Sequence, residues 1–260
     1  MKLWTLVENT ACREELSAEH GLSLYIEAGG KRILFDAGQS GAFADNAGKM
    51  GVDLREVDFA VLSHGHYDHG GGLMRFFEIN SHAPVYMSPH AFGSHYNAAG
   101  KFIGLAPELA RSGRVRFAGD RETLAEGITL FSAIGRQCAI PVEPFGLTVL
   151  ENGRRMPEDF RHEQYLLIEE AGKRILISGC SHRGILNIVH WFRPDVLIGG
   201  FHFMKMDPGS GVLEAAAKQL MDYGSLYYTG HCTGQAQFER MKQIMGDKLS
   251  YLSTGTIITI

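Results

Sequence analysis

The chain predicts an α/β fold, an αββα sandwich in which two mixed β-sheets pack on each other and carry helices on their outer faces. Three observations predict it. Strands arrive as hairpins, at residues 22–27 with 31–36 and at 165–169 with 174–178, around Gly29-Gly30 and Ala171-Gly172. Helix-patterned segments alternate with short apolar runs, which places helices outside sheets. No polar linker interrupts the 260 residues, so 1–260 reads as a single domain, long enough to bury a full core.

The elements follow in order. After the first hairpin, residues 42–50 pattern as a helix ended by Gly51, and 59–63 form a buried strand. Residues 73–77 are helical, following Gly70-Gly71-Gly72, and 84–88 are a short strand. Residues 91–125, with Gly100, Gly104, Pro107 and Gly113, read as a helical insertion or lid over a site. Residues 128–131 and 147–150 are strands, and 151–157 a loop. The second hairpin leads to a helix at 184–192 closed by Pro194, a buried strand at 196–198 and a helix at 213–221. A strand at 226–228, a helix at 235–245 and a terminal strand at 256–260 complete the chain. Two blocks therefore repeat one order, hairpin, helix, buried strand and His-bearing turn, without close sequence repetition.

Composition narrows the function. Hydrophobic residues make up 45% and charged residues 21%, an ordinary globular balance. The net charge of −4 comes with no Lys/Arg cluster, which argues against nucleic acid and for a small-molecule substrate. An anionic substrate stays open, because a bound metal reverses local charge. No apolar run approaches the ~20 residues that span a bilayer. The N-terminus turns acidic at Glu8, too early for a signal peptide, so a cytoplasmic location is expected. Cys12, Cys138, Cys180 and Cys232 form no CxxC pair and no disulfide framework. Assembly as a homo-oligomer is compatible with all of this.

The chemistry concentrates in His64-Gly65-His66-Tyr67-Asp68-His69, which follows the apolar strand and precedes the three glycines. In an extended segment alternate side chains share a face, so His64 and His66 suit one metal, and Asp68 with His69 a second. Imidazole and carboxylate favour Zn, with Fe or Mn as alternatives, over Ca or Mg. One short motif cannot close two sites. Three later strand ends offer further donors: Cys180 and His182 in 178–182, His202 in 199–202, and His231 in 229–234. No P-loop and no GxGxxG following a strand competes with this reading.

These motifs, with Asp36-Ala37-Gly38 after the first hairpin, make the chain resemble the metallo-β-lactamase-fold superfamily of metal-dependent hydrolases. Gly179-Cys180-Ser181-His182-Arg183-Gly184-Ile185, Gly199-Gly200-Phe201-His202 and Gly230-His231-Cys232-Thr233-Gly234 bring it nearest the 7,8-dihydropterin-6-methyl-4-(β-D-ribofuranosyl)aminobenzene-5′-phosphate synthase-like group. The resemblance spans nearly the whole chain. It implies one or two Zn²⁺ ions, His64 and His66 at the first position, and Asp68, His69 and His231 at the second. His182 is the candidate for the third histidine of the first position; His162, ahead of its strand, is the alternative. Cys180 stands where the superfamily usually has a bridging Asp, and is carried as a further candidate ligand. Asp36 is expected to orient a ligand rather than bind metal.

The implied activity is hydrolysis of a small, phosphate-containing ester by a metal-activated water, with Asp68 orienting that water and taking its proton. His202, Arg183 and His90 are the candidate substrate contacts. Two rivals stand beside it: a transferase condensing a pterin pyrophosphate with an arylamine ribose phosphate, and a non-catalytic metal-binding module.

Overall fold

A computed structural model describes residues 1–260. In chain order the first half holds β1 (Lys2–Val7), β2 (Ser23–Ala28), β3 (Lys31–Phe35), α1 (Ala42–Lys49), β4 (Phe59–Val61), α2 (Tyr67–Gly70), α3 (Leu73–Ile79), β5 (Val85–Met87), β6 (Ser94–Tyr96), β7 (Val115–Phe117), β8 (Arg121–Ala125) and β9 (Ile128–Ser132). The second half holds β10 (Thr148–Glu151), β11 (Arg154–Pro157), β12 (Gln164–Glu170), β13 (Lys173–Ile177), α4 (Ile185–Phe192), β14 (Val196–Ile198), α5 (Gly211–Met221), β15 (Leu226–Thr229), α6 (Gln235–Met245), β16 (Leu249–Tyr251) and β17 (Ile257–Thr259).

Two seven-stranded sheets result, ordered β17-β1-β2-β3-β4-β5-β7 and β16-β15-β14-β13-β12-β9-β8, with β11-β10-β6 as a small third sheet. Both large sheets use one local plan: an antiparallel hairpin, β2–β3 or β12–β13, whose second strand pairs parallel with the strand after a helix, β4 or β14. Alternation within strands builds the layers. Ile33, Phe35, Phe59 and Val61 face Leu166, Ile168, Ile175, Ile177 and Ile198 in the core between the sheets. Leu34, Ala60 and Leu62 point the other way and pack with Phe43, Ala47, Leu73 and Phe76 of α1 and α3. On the second sheet Tyr165, Leu167, Leu176 and Leu197 meet Ile188, Val189, Leu213, Ala217 and Met241 of α4, α5 and α6. Strands buried on both faces explain the near-continuous apolar runs in the sequence. The expected αββα sandwich is the architecture found.

Two local expectations are corrected. Residues 91–125 are not a helical insertion: they hold β6, β7, β8 and one 3-10 turn, Pro107–Arg111. Their glycines and proline mark turns between strands that extend both large sheets, β7 at the edge of the first and β8 at the edge of the second. Residues 151–157 are not all loop, because Asn152-Gly153 closes a hairpin pairing β10 with β11.

Candidate metal centre

Every candidate ligand but His162, which precedes β12, lies just beyond the carboxyl end of a strand: residues 64–69 after β4, Cys180 and His182 after β13, His202 after β14 and His231 after β15. Parallel pairing of β13, β14 and β15 aligns those ends along one edge of their sheet, the position where open α/β sheets bind ligands. Glycines allow close approach there. A Cβ on Gly179 would collide with the Ser63 side chain, and one on Gly72 with the carbonyls of Ala37 and Ser40. Asp36, Phe160, Ser181, His202 and His231 all adopt positive φ, between 50° and 58°. Such conformations cost about 1–3 kcal/mol each and gather where a site needs them.

Hydrogen bonds assign the ring protons. Ser63 Oγ donates to Asp36 Oδ2 at 2.7 Å, so at 2.8 Å from His64 Nδ1 it accepts, and the His64 proton sits on Nδ1. His69 Nδ1 donates to Asp36 Oδ2 at 2.6 Å, and His231 Nδ1 donates to Asn9 Oδ1 at 2.9 Å. In their neutral forms the Nε2 atoms of all three rings therefore carry lone pairs. His64 Nε2 faces His182 Nε2 at 3.3 Å, and His69 Nε2 faces His231 Nε2 at 3.2 Å. With a proton on neither His69 Nε2 nor His231 Nε2, their facing lone pairs repel unless a cation lies between them. Nitrogens bound about 2.0–2.1 Å from a tetrahedral zinc stand about 3.3 Å apart, so the spacing fits a bound metal.

Two donor groups follow. His64, His66 and His182 present ligand atoms within 4.8 Å of one another, all buried. Burial holds His64 and His182 well below the ordinary imidazole range and His66 at about 3, which keeps these rings neutral and able to donate. Around the second position His231 Nε2 lies 3.4 Å and His69 Nε2 3.9 Å from Asp68 Oδ2. Burial alone would raise Asp68, but His69, His20 and His231 outweigh it and hold the carboxyl ionised. Burial would lower His69, yet Asp36 and Asp68 outweigh it and hold the ring above its ordinary value, an environment that favours positive charge. Cys180 Sγ lies 3.1 Å from His69 Nε2, within one group with His64 and His69 and another with His231 and Cys232. Burial pushes the Cys180 thiol well up, so it needs a neighbouring cation to ionise.

The structure separates the two third-histidine candidates. His162 Nδ1 accepts the Gly65 N–H at 2.8 Å and its Nε2 faces Glu158 Oε1 at 3.7 Å, so its ring is turned to other partners. His182 faces His64, and its ring stacks on Phe160 at 4.5 Å and 7°. Glu163 fixes the His182 backbone, accepting its N–H at 2.6 Å and that of Arg183 at 3.0 Å.

Of the expected substrate contacts, only His202 stands beside the open space. Its ring lies 4.2 Å from that of His182, and both line a cavity of about 490 Å³ walled by Ile140, Val142, Phe145, Phe201, Phe203 and Met206. Arg183 does not line it: its guanidinium donates to the carbonyls of Asp159 and Arg136. His90 lines a different cleft, with His95 and Glu158. Nor do the cavity walls include any Lys or Arg.

Sequence reading missed several supporting residues. Glu8 accepts the His231 N–H at 2.5 Å and the Tyr251 hydroxyl at 3.0 Å. His20 Nε2 lies 3.3 Å from Asp68 Oδ2. Glu8-Asn9 directly after an apolar strand was the available signal; buried Glu163, inside a charged stretch, gave none. Asp36 has the orienting position expected of it, accepting from Ser63 N, Ser63 Oγ and His69 Nδ1.

Comparison with known proteins agrees with this geometry. The family model of the metallo-beta-lactamase superfamily matches residues 17–153. An uncharacterized protein of Methanocaldococcus jannaschii is 30% identical, covering 98% of each chain. The 7,8-dihydropterin-6-methyl-4-(beta-D-ribofuranosyl)-aminobenzene-5'-phosphate synthase of the same organism is 30% identical over 99% of this chain and 96% of its own. A crystal structure described as a metal-dependent hydrolase of the beta-lactamase superfamily superposes with a TM-score of 0.85 at 26% identity, covering 100% of this chain and 99% of that one. The strand-end ligand motifs, the αββα layers and these matches agree: the chain belongs to the metallo-beta-lactamase superfamily.

Proposed function

We propose that the protein is a binuclear metal-dependent hydrolase of small organic esters, with zinc as the metal that best suits its donors. The observation that carries this reading is the facing imidazole nitrogens, 3.3 Å apart at one position and 3.2 Å at the other, the first of them bordering an open apolar cavity through His182. His64, His66 and His182 would hold the first ion; Asp68, His69 and His231 the second, with Cys180 between His69 and Cys232. When bound, such ions polarise a scissile carbonyl or phosphoryl oxygen and lower the pKa of water from ~15.7 to about 7.

The residues of the chain do the rest. Asp68, held ionised, orients the attacking water; its depressed basicity makes it a better anchor than proton acceptor. His202, on the cavity wall, is placed to hydrogen-bond the substrate. Ile140, Val142, Phe145 and Phe203 exclude water and pack the part of the substrate that does not react. Their apolar character gives no support to a charged body, so the anionic group of a phosphoester would have to sit at the metals. The reading makes the partner a small molecule, and no helix is long and apolar enough to cross a membrane.

One observation favours a second reading. The relative named as a synthase matches at 30% identity along almost its whole length, and a flat pterin or aminobenzene ring suits aromatic walls. The test covers both readings: metal-stripped and zinc-restored protein is offered aryl phosphodiesters, lactones, thioesters and a pterin pyrophosphate with an arylamine. Hydrolysis that disappears on stripping and returns with zinc is expected. Pyrophosphate release that requires the amine would favour the transferase, and ester turnover untouched by stripping would remove metal from the mechanism.

A further inference from the structure

A second polar cluster stands against His66. The His66 ring centroid lies 5.0 Å from that of His182, but also 5.5 Å from that of His95 and 5.1 Å from that of His162. His66, His95, Glu158 and His162, all buried, present ligand atoms within 4.8 Å of one another. The Nε2 atoms of His66, His95 and His162 are buried without a hydrogen-bond partner. Each such atom costs about 1–3 kcal/mol unless something meets it. That of His66, unpartnered beside a buried carboxylate, points to a cation.

The hydrogen bonds decide which groups can bind it. Because the Gly65 N–H occupies Nδ1 of His162 at 2.8 Å, the neutral His162 ring keeps its proton on Nε2, facing Glu158 Oε1 at 3.7 Å. His162 Nε2 thus carries a proton and is not a ligand. Glu158 Oε1 also accepts the Phe160 N–H at 3.3 Å, and Oε2 lies 2.7 Å from His95 Nδ1. What is left is His66 together with His95 Nδ1 and Glu158 Oε2, which stand 2.7 Å apart and can face one ion once that nitrogen gives up its proton. Two histidines and a carboxylate around an open fourth position form a recurrent zinc donor set. His95 and Glu158 also line a cleft of about 310 Å³ with His90, Phe92 and Arg161, and it shares no wall residue with the apolar cavity.

We infer that His66, His95 and Glu158 form an alternative seat for a divalent transition metal, exclusive with the first position because both draw on His66. The inference rests on the binuclear reading. The loaded centre holds two ions in total, one fixed by Asp68, His69 and His231, the other able to occupy either seat around His66.

Zinc stoichiometry of stripped, refilled protein tests it, by calorimetry and by metal analysis after gel filtration, with circular dichroism confirming the fold. Wild type should bind two equivalents, and fewer than two would overturn the binuclear reading itself. His182→Ala should still bind two, because the ion moves to the alternative seat. His182→Ala combined with Glu158→Gln, or separately with His95→Asn, should bind one. A His182→Ala protein that binds one equivalent, or either folded double variant that keeps two, overturns the alternative seat.

Discussion

The two proposed metal positions differ less in their candidate ligands than in what holds those side chains. At the second, each group is tied by a hydrogen bond to a charged or polar partner: His69 to Asp36 at 2.6 Å, His231 to Asn9 at 2.9 Å and, through its backbone, to Glu8 at 2.5 Å, Asp68 to His20 at 3.3 Å. At the first, His64 reaches Asp36 only through Ser63, and His182 Nδ1 has no partner while its ring rests on Phe160. Partners behind a ligand fix its tautomer and raise its basicity. The second proposed position is therefore expected to be the tighter one, and the first, held by packing, the weaker.

The variants that probe this contrast most strongly are those behind the ligands. Asp36 serves both positions, so Asp36→Ala should weaken both by at least ~100-fold and cost about 3 kcal/mol of stability, through lost bracing and stranded donors. Metal content after dialysis and urea unfolding check this; loss at one position alone would break the shared-brace account. Asn9→Ala should weaken the second position alone by about 10–100-fold, read as loss of the tighter step in a Co²⁺ titration. Phe160→Leu should loosen the first position by less, about tenfold, leaving the tighter step intact; it removes only an aromatic stack of about 0.5–1.5 kcal/mol. Val142→Asp should leave both steps unchanged while raising KM for an apolar ester about tenfold, because a carboxylate in the cavity wall disfavours apolar groups. A change in metal content there would couple cavity and metals in a way the geometry does not show.

The same contrast explains what could be read from the sequence. The clustering of the candidate ligands was legible because β4 leads into six consecutive residues that hold four of them, and because His182 and His231 each follow a short apolar strand next to small residues. Alternating apolar runs made the four layers legible as well. The braces were not, apart from Asp36. Glu8 and Asn9 meet His231 across more than 220 residues of chain, through strand order that no local pattern encodes. Glu163 and His162 lie in a stretch that looks solvated, yet both are fully buried. Arg183, beside the key histidine, suggested an anion contact; its guanidinium instead ties down two backbone carbonyls. Residues 91–125 misled because glycine and proline mark turns between strands as readily as breaks between helices.

The central claim is a centre of two unequal metal positions, and stepwise Co²⁺ titration of the stripped protein, followed in the visible spectrum, tests it most directly. The account predicts two resolved equivalents, with the tighter removed by Asn9→Ala and the weaker shifted by Phe160→Leu. A single equivalent in wild type, or two identical steps that both variants weaken alike, would contradict it.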